Sequence, residues 1–505
     1  MPKIIPIQTE FSSPRVFLKC GPNYNTMVQD LDFISDTIRS SGIEHKIMQH
    51  FLDRLSDSNK GKALSRNKII KAQKKGLFIL YAMVLRDYLK LSLRGFERVL
   101  AASELFQSFC GINSWACIDI PTHQEINALE NSLSDSLLRA INVMLVKDVV
   151  LNEMQTKKLG LERKFDLNKV LTDSTCIKAN IHYPVDYLLM RDMIRTSMLK
   201  IERIREVGLK LRMPCTPKEW LSQTNSLIIE MSMASRKIDS MKRRKRIFRA
   251  MKRLFKQAMS HVERYLDGFE KNYHRYEIST IKAESIVISL KEILSQKDEV
   301  VSIANRRIIK EEKVDSEDKI LSIYEKDVNI IIRNKDGSKV EFGNTLQFVE
   351  QSDGFIIDYE LLKDPSKGDA EGCIDSLNRI VLNYGEVAKS LKHLIADRGY
   401  DAKKLKDHVD QINEKYKIKL EYDVLPRNPK QLKEKMKDKK YAKLHTRRSS
   451  TEAKVAHVKI ITDNPMKQKG IRNRQIHLGI AVFSHNLMKL ARIYREQESK
   501  KRETA

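Results

Sequence analysis

A chain of 505 residues with 93 Lys plus Arg against 66 Asp plus Glu has a formal charge of +27, a surplus that an ordinary metabolic enzyme does not need and that points to a polyanionic partner. The cations recur along the chain and are not gathered in one short tail, which favours nucleic acid over a membrane surface. No run of about 18 apolar residues is present to span a bilayer, and the opening MPKIIPIQTEFSSPR lacks the apolar core of a signal peptide, so the expected location is the cytoplasm.

At about 150 residues per domain the length predicts roughly three units. From about Ile34 to Val150 the pattern is helical. Ile69, Ile70, Leu77, Leu80, Tyr81 and Val84 recur at three-to-four-residue steps in a Lys-rich background. After the breaker Ile120-Pro121, Thr122 and Glu125 have the spacing of a capping box. The stretch NKVLTDSTCIKANIHYP is richer in β-branched residues and reads as a central strand closed by Pro184.

Helical periodicity with few glycines returns from about Asp186 to Lys319. Its most basic run, Arg236 to Lys256, has eleven Lys or Arg and one acid, Asp239. It reads either as a solvated helix face or as a contact for DNA backbone through residues such as Lys242, Arg243, Arg244, Lys245 and Arg246. Next come VNIIIRN, KVEFGNTLQFVE and FIIDYELL, joined by Asp336-Gly337 and Asp353-Gly354, the signature of a three-strand antiparallel meander. An amphipathic helix around Ile380 to Leu391 leads into KHLIAD, a short strand ending at Asp397. A further helix carries Leu405, Val409 and Ile412, and IKLEYDVL alternates like another strand.

Three carboxylates stand out in this frame: Asp173 in LTDST, Asp397 in IADRGYD and Glu452 in RRSSTEAKVAHVK. Each has an ordinary structural use, as turn former, helix cap or dipole partner; their order, their strand context and the spacing His445-x2-Arg448-x3-Glu452-x6-Lys459 set them apart. Steps of three, four and seven put the last four on one helical face if the helix extends that far.

These residues resemble the DDE transposases of bacterial insertion sequences, whose signature around the acid is Tyr-x2-Arg-x3-Glu-x6-Lys; His445 stands where that family has Tyr. LSLRGFERVLAASELFQSFCGI with IPTHQEINALENSLS, and the carboxy-terminal IHLGIAVFSHNLMKLARI, also resemble that family's leading helical domain and final helix. The resemblance implies an α/β RNase H-like catalytic core, a mixed sheet with a three-strand antiparallel meander, interrupted by a helical insert and preceded by an all-α domain. In residue ranges this is a segment 1–33 of unclear structure, a helical DNA-binding domain 34–155, the catalytic domain 156–185 with 320–495, a basic insertion 186–319 and a charged tail 496–505. It further implies that Asp173, Asp397 and Glu452 hold magnesium, with manganese as a substitute, that Arg448, Lys459, His445 and Arg398 meet DNA, and that the partners are terminal inverted repeats and target DNA, met as a homodimer. The rival readings are a silent DNA-binding repressor and a nuclease that cuts without joining.

Two ions about 3.5 to 4 Å apart serve both the attacking and the leaving oxygen of a phosphodiester, and hard oxygen ligands suit magnesium. Converging carboxylates repel each other, so the ion is expected to stabilise the fold. Ten Lys or Arg against Glu434 and Asp438 between Arg427 and Arg448 are placed to neutralise DNA backbone. No Gly-rich phosphate loop, no His-x3-His pair beside an acid and no paired cysteine spacing is present, which argues against ATP use, a zinc enzyme and a redox motif. The six cysteines read as reduced and mostly buried, Trp115, Trp220 and Tyr400 as core residues, and His182 and His457 as structural or DNA-facing.

Overall fold

The computed structural model describes residues 3–5, 21–59, 63–112, 119–182, 186–234, 240–315, 318–335, 338–364, 366–446, 458–462 and 465–504. Helices α1 (Pro22–Ser40), α2 (Ile43–Ser58), α3 (Arg66–Leu89), α4 (Leu93–Ala102), α5 (Glu104–Phe109), α6 (His123–Ser132), α7 (Asp135–Val143) and α8 (Glu153–Lys158) precede strand β1 (Lys169–Lys178). Helices α9 (Asp186–Glu206), α10 (Pro217–Ala234), α11 (Ser240–Asn272) and α12 (Thr280–Ile308) follow, then strands β2 (Asn329–Lys335), β3 (Ser338–Gln351) and β4 (Ile356–Leu362). The chain continues through α13 (Asp369–Tyr384), β5 (His393–Ala396), α14 (Lys403–Tyr416), β6 (Glu421–Val424), α15 (Pro429–Lys435), α16 (Lys439–Thr446) and α17 (Ile471–Thr504). It divides into two compact units, Met1–Asn180 with Ile331–Ala505, and Ile181–Ile330.

The first unit is mixed α/β. Its sheet runs β2-β3-β1-β5-β6, with β4 paired to β3. β1 is antiparallel to β3 and β3 to β4, whereas β1, β5 and β6 are mutually parallel neighbours. The Asp353-Gly354 turn forms as its residues require: Gly354 has φ +94, a conformation open to glycine, and its N–H donates to the Gln351 carbonyl at 2.8 Å.

Strand alternation divides the apolar residues between two faces. Val170, Leu394 and Ala396 pack with Cys373, Leu377 and Ile380 of α13 and Leu405 and Val409 of α14. On the other face Ile177, Leu346, Phe348, Tyr359 and Leu361 meet Leu478 and Val482 of α17, with Val458 and Met466. Two amides of α17 satisfy backbone of β4. Asn486 accepts from the Ile356 N–H at 2.9 Å and donates to its carbonyl at 2.8 Å, and Gln475 accepts from the Leu361 N–H at 2.9 Å. An edge strand is thereby covered and kept from pairing with another chain.

Three features of packing and element boundaries stand out. The stretch 34–155 is not set apart from the sheet: Ile34, Leu80, Leu100, Leu138 and Val149 share one apolar cluster with Val170 and Leu394, and α3 is buried continuously from Gly76 to Asp87. The tail 496–505 continues α17 to Thr504, where Lys501 pairs with Glu162 at 2.8 Å and Gln497 accepts from the Glu162 N–H at 2.8 Å. The helix expected over Ile380 to Leu391 starts earlier, at Asp369, and ends at Tyr384 before Gly385, whose φ is +53. The Thr122–Glu125 capping box is present.

The second unit consists of α9 to α12 around a core that includes Met193, Ile201, Trp220, Phe248, Phe255, Tyr265, Phe269 and Leu290. Ile247, Phe248, Met251, Phe255, Ala258, Met259 and Val262 recur on one side of α11 and are buried there, as a 3.6-residue period requires. His182 is paired with Asp192 at 2.6 Å within this unit. Cys110, Cys176 and Cys373 are buried free thiols and Cys215 is half-buried; Cys20, Cys117, Trp115, Pro184 and His457 lie outside the described residues. Among the described residues no helix is long and apolar enough to cross a membrane.

Candidate active site

The pairing of β1 with β5 decides how the two aspartates stand. Lys169, Val170 and Leu171 are partnered by His393, Leu394 and Ile395; carried two residues further, the same register sets Asp173 beside Asp397. Asp397 keeps extended backbone, φ −83 and ψ −179, so the alternation holds to that point. Neighbouring strands lie about 4.8 Å apart, and both carboxylates are half-exposed. Asp173 accepts from the Ser174 N–H at 2.8 Å and Asp397 from the Gly399 N–H at 2.7 Å. The second contact is a cap, the ordinary use of an Asp at a strand end; here it also fixes the carboxylate.

A further carboxylate lies near Asp397. Asp369, in the first turn of α13, has Oδ2 only 3.0 Å from where a Cβ on Gly399 would stand, and Asp397 Oδ1 is also 3.0 Å from that point. Glycine at 399 is what lets the two acids approach. The sequence reading missed Asp369 because it began this helix eleven residues late, although Gly368-Asp369-Ala370-Glu371 carries a helix-start signal.

Beneath the acids lies a buried polar chain. The Tyr400 hydroxyl donates to Gln347 Oε1 at 3.0 Å, and Gln347 Nε2 donates to Thr172 Oγ1 at 2.5 Å. Burial first, then the charges of Asp369 and Asp173, push the Tyr400 hydroxyl well above the usual phenol range, so it stays a neutral donor. Arg427 holds the outer side of the loop, donating to the carbonyls of Arg398 and Gly399, each at 3.1 Å. Leu171 and Ile395, each two residues before an aspartate, line a pocket of about 280 Å³ with Lys169 and Lys443 on its wall.

The other expected residues fall differently. Glu452 and Arg448 lie outside the described residues. Lys459 donates to Thr175 Oγ1 at 2.7 Å. Thr175 is two residues beyond Asp173 and shares its face, so Lys459 lies against β1 on that face. Met466 continues that path, its N–H donating to the Lys178 carbonyl at 2.8 Å. Arg398 is exposed. His445 is buried with its ring tilted against Tyr441, ring centroids 4.7 Å apart, while the Tyr441 hydroxyl donates to the Val424 carbonyl at 2.9 Å. Its ring packs within α16 in this structure. In the helical unit Lys242 and Arg246 are exposed; Arg243, Arg244 and Lys245 are half-buried, and Lys245 pairs with Glu311 at 2.5 Å.

A second group sits at the opening of β5 and β6. His393 is 2.8 Å from Asp423 and 3.4 Å from Glu421, on the strand face of Asp397 but four residues upstream. A hydrogen bond between the imidazole and Asp423, with Glu421 beside it, accounts for it. Comparison with protein-family models, with curated proteins and with solved structures finds no match for this chain.

Proposed function

We propose that the chain is a DNA transposase of the DDE type, which cuts DNA strands at the ends of a mobile element and joins them to target DNA. The observation that carries this reading is the pair Asp173 and Asp397, side by side on two adjacent parallel strands, Asp173 within β1 and Asp397 directly after the end of β5. The strand order β4-β3-β1-β5-β6, two antiparallel pairings followed by two parallel ones, is the order expected of an RNase H-like core with β2 as an addition, and it supports the same reading.

The donor set fits magnesium. Asp173 and Asp397 offer hard oxygen ligands from rigid strand positions, and Asp369 adds negative charge beside them. Bound magnesium would activate the attacking water or 3′-hydroxyl and stabilise the leaving oxygen. Asp173 and Asp397 would hold the cation, with Glu452 as the third ligand in this reading. Lys459, tied to Thr175, keeps positive charge on the Asp173 face, and Arg398 is exposed beside Asp397 where a phosphate approaches. Tyr400, Gln347 and Thr172 fix the floor without touching the substrate. Two element ends require two sites, so the reading includes a homodimer on DNA and a bacterial cytoplasmic location at the nucleoid.

The test is a cleavage and strand-transfer assay on a labelled duplex carrying the sequence that flanks the chain's own gene. The wild type is expected to cut and join only with magnesium or manganese. Asp173→Asn, Asp397→Asn and Glu452→Gln are each expected to lose both steps and to keep DNA binding. Retained cleavage in any of the three removes that residue from the site, cutting without joining makes the chain a nuclease, and binding without cutting makes it a repressor.

A further inference from the structure

The amino-terminal half of α11 violates two local rules of helix stability at once. From Ser240 to Val262 it contains nine Lys or Arg and no acid. Lys242 and Arg243 stand in the first turn, where the helix dipole is positive and disfavours cations. Lys242, Arg246, Arg249, Arg253 and Lys256 follow one another at steps of four, three, four and three, so each repels its neighbour one turn away.

At 100° per residue these five positions fall within an arc of about 80° and extend for about 21 Å. All five are exposed, and among the described residues none has a carboxylate partner. The carboxy-terminal half of the same helix behaves otherwise: Glu263 pairs with Lys297, Glu270 with Lys291, and Asp267 with Lys271 at 2.6 Å. Neutralised on one half and left bare on the other, the helix keeps a row of cations that its own stability does not ask for. Such conflicts between local rules and sequence mark functional surfaces.

We infer that the stripe Lys242, Arg246, Arg249, Arg253 and Lys256 is a docking surface for the phosphate backbone of double-stranded DNA, read without regard to base sequence. Charge complementarity selects a polyanion. The apolar side of α11, Ile247, Phe248, Met251 and Phe255, is buried in the helical unit, so no apolar face is left to enter a lipid surface, as an amphipathic membrane helix requires. The choice of duplex DNA as the polyanion rests on the proposed function. The run of five consecutive cations at 242 to 246 is not itself the contact: only its first and last members belong to the stripe, and Lys245 is engaged by Glu311.

The experiment measures binding of the full-length chain to a labelled duplex of arbitrary sequence across a salt series without divalent metal. Replacing Lys242, Arg246, Arg249, Arg253 and Lys256 together by Gln is expected to weaken binding about tenfold or more and to flatten the slope of log K against log salt by about 4.5, at 0.9 per lost phosphate contact. Unfolding by urea checks the fold, and Arg249→Gln with Arg253→Gln, expected to flatten the slope by about two, serves if the fivefold variant does not fold. An unchanged slope in the folded variants overturns the inference, as does binding to phosphatidylserine vesicles in preference to the duplex. Asp173→Asn with Asp397→Asn is expected to keep the wild-type slope while losing cleavage, so the stripe and the active site can fail separately.

Discussion

At Gly399 the absence of a side chain is what allows Asp369 and Asp397 to face each other, since a Cβ there would press on both carboxylates at 3.0 Å. We predict that Gly399→Ala raises the magnesium concentration needed for half-maximal cleavage several-fold, with little change in urea stability because the loop is exposed. Tyr400 gives a complementary result. Its hydroxyl bonds to Gln347 at 3.0 Å inside the core, so Tyr400→Phe leaves a buried amide oxygen without that donor and is expected to cost about 1 to 3 kcal/mol in urea unfolding. Asp173 and Asp397 were legible in the sequence because short motifs surround them, whereas Asp369 was not, because its nearness to Asp397 arises from how α13 docks under β5. His445 shows the converse. Its spacing matched a DNA-contacting signature, yet its place beside Tyr441 buries it, and spacing says nothing about which side of a helix faces the protein.

Helices and strands were legible in proportion to how local their causes are. The segments ending at Asn334, Glu350 and Leu362 correspond closely to β2, β3 and β4, since β-branched alternation and Gly354 act over a few residues. The start of α13 escaped because its first turns are small and polar, with only Cys373 and Ile374 before Leu377. α17 carries a pH-sensitive group. His477 is buried, and burial, followed by the nearby Arg86 charge, lowers its pKa from 6.5 to about 3. The unfolded chain therefore takes up a proton that the native state refuses. The stability this group contributes is complete above about pH 6.5 and is lost as pH falls toward 3. Between pH 7.5 and 5.5 the loss is expected to be on the order of 1 kcal/mol, read as the difference in urea-unfolding free energy between wild type and His477→Gln at the two pH values. An equal pH dependence in both proteins would contradict the assignment.

On the scale of the whole molecule, the two units divide the chemistry. The sheet unit holds the carboxylates, and the helical unit, Ile181–Ile330, holds the bare cationic stripe of α11. The sequence led to the expectation of a polyanionic partner and of a basic helical segment; it did not show that the amino-terminal helices share one core with the sheet, because periodicity reports that a helix has a buried face without saying against what. Asp173 and Asp397 on neighbouring strands, with Asp369 near Asp397, should repel each other until a cation neutralises them, so magnesium and manganese are expected to raise the melting temperature of the wild type and much less that of Asp173→Asn. The most direct check of the central claim, that Asp173 and Asp397 form one divalent-metal site, is a calorimetric titration of manganese into the full-length chain and into the variants Asp173→Asn and Asp397→Asn. The account predicts saturable binding in the wild type that either single substitution weakens at least about tenfold, roughly 1.4 kcal/mol. Equal manganese binding in all three proteins would contradict it.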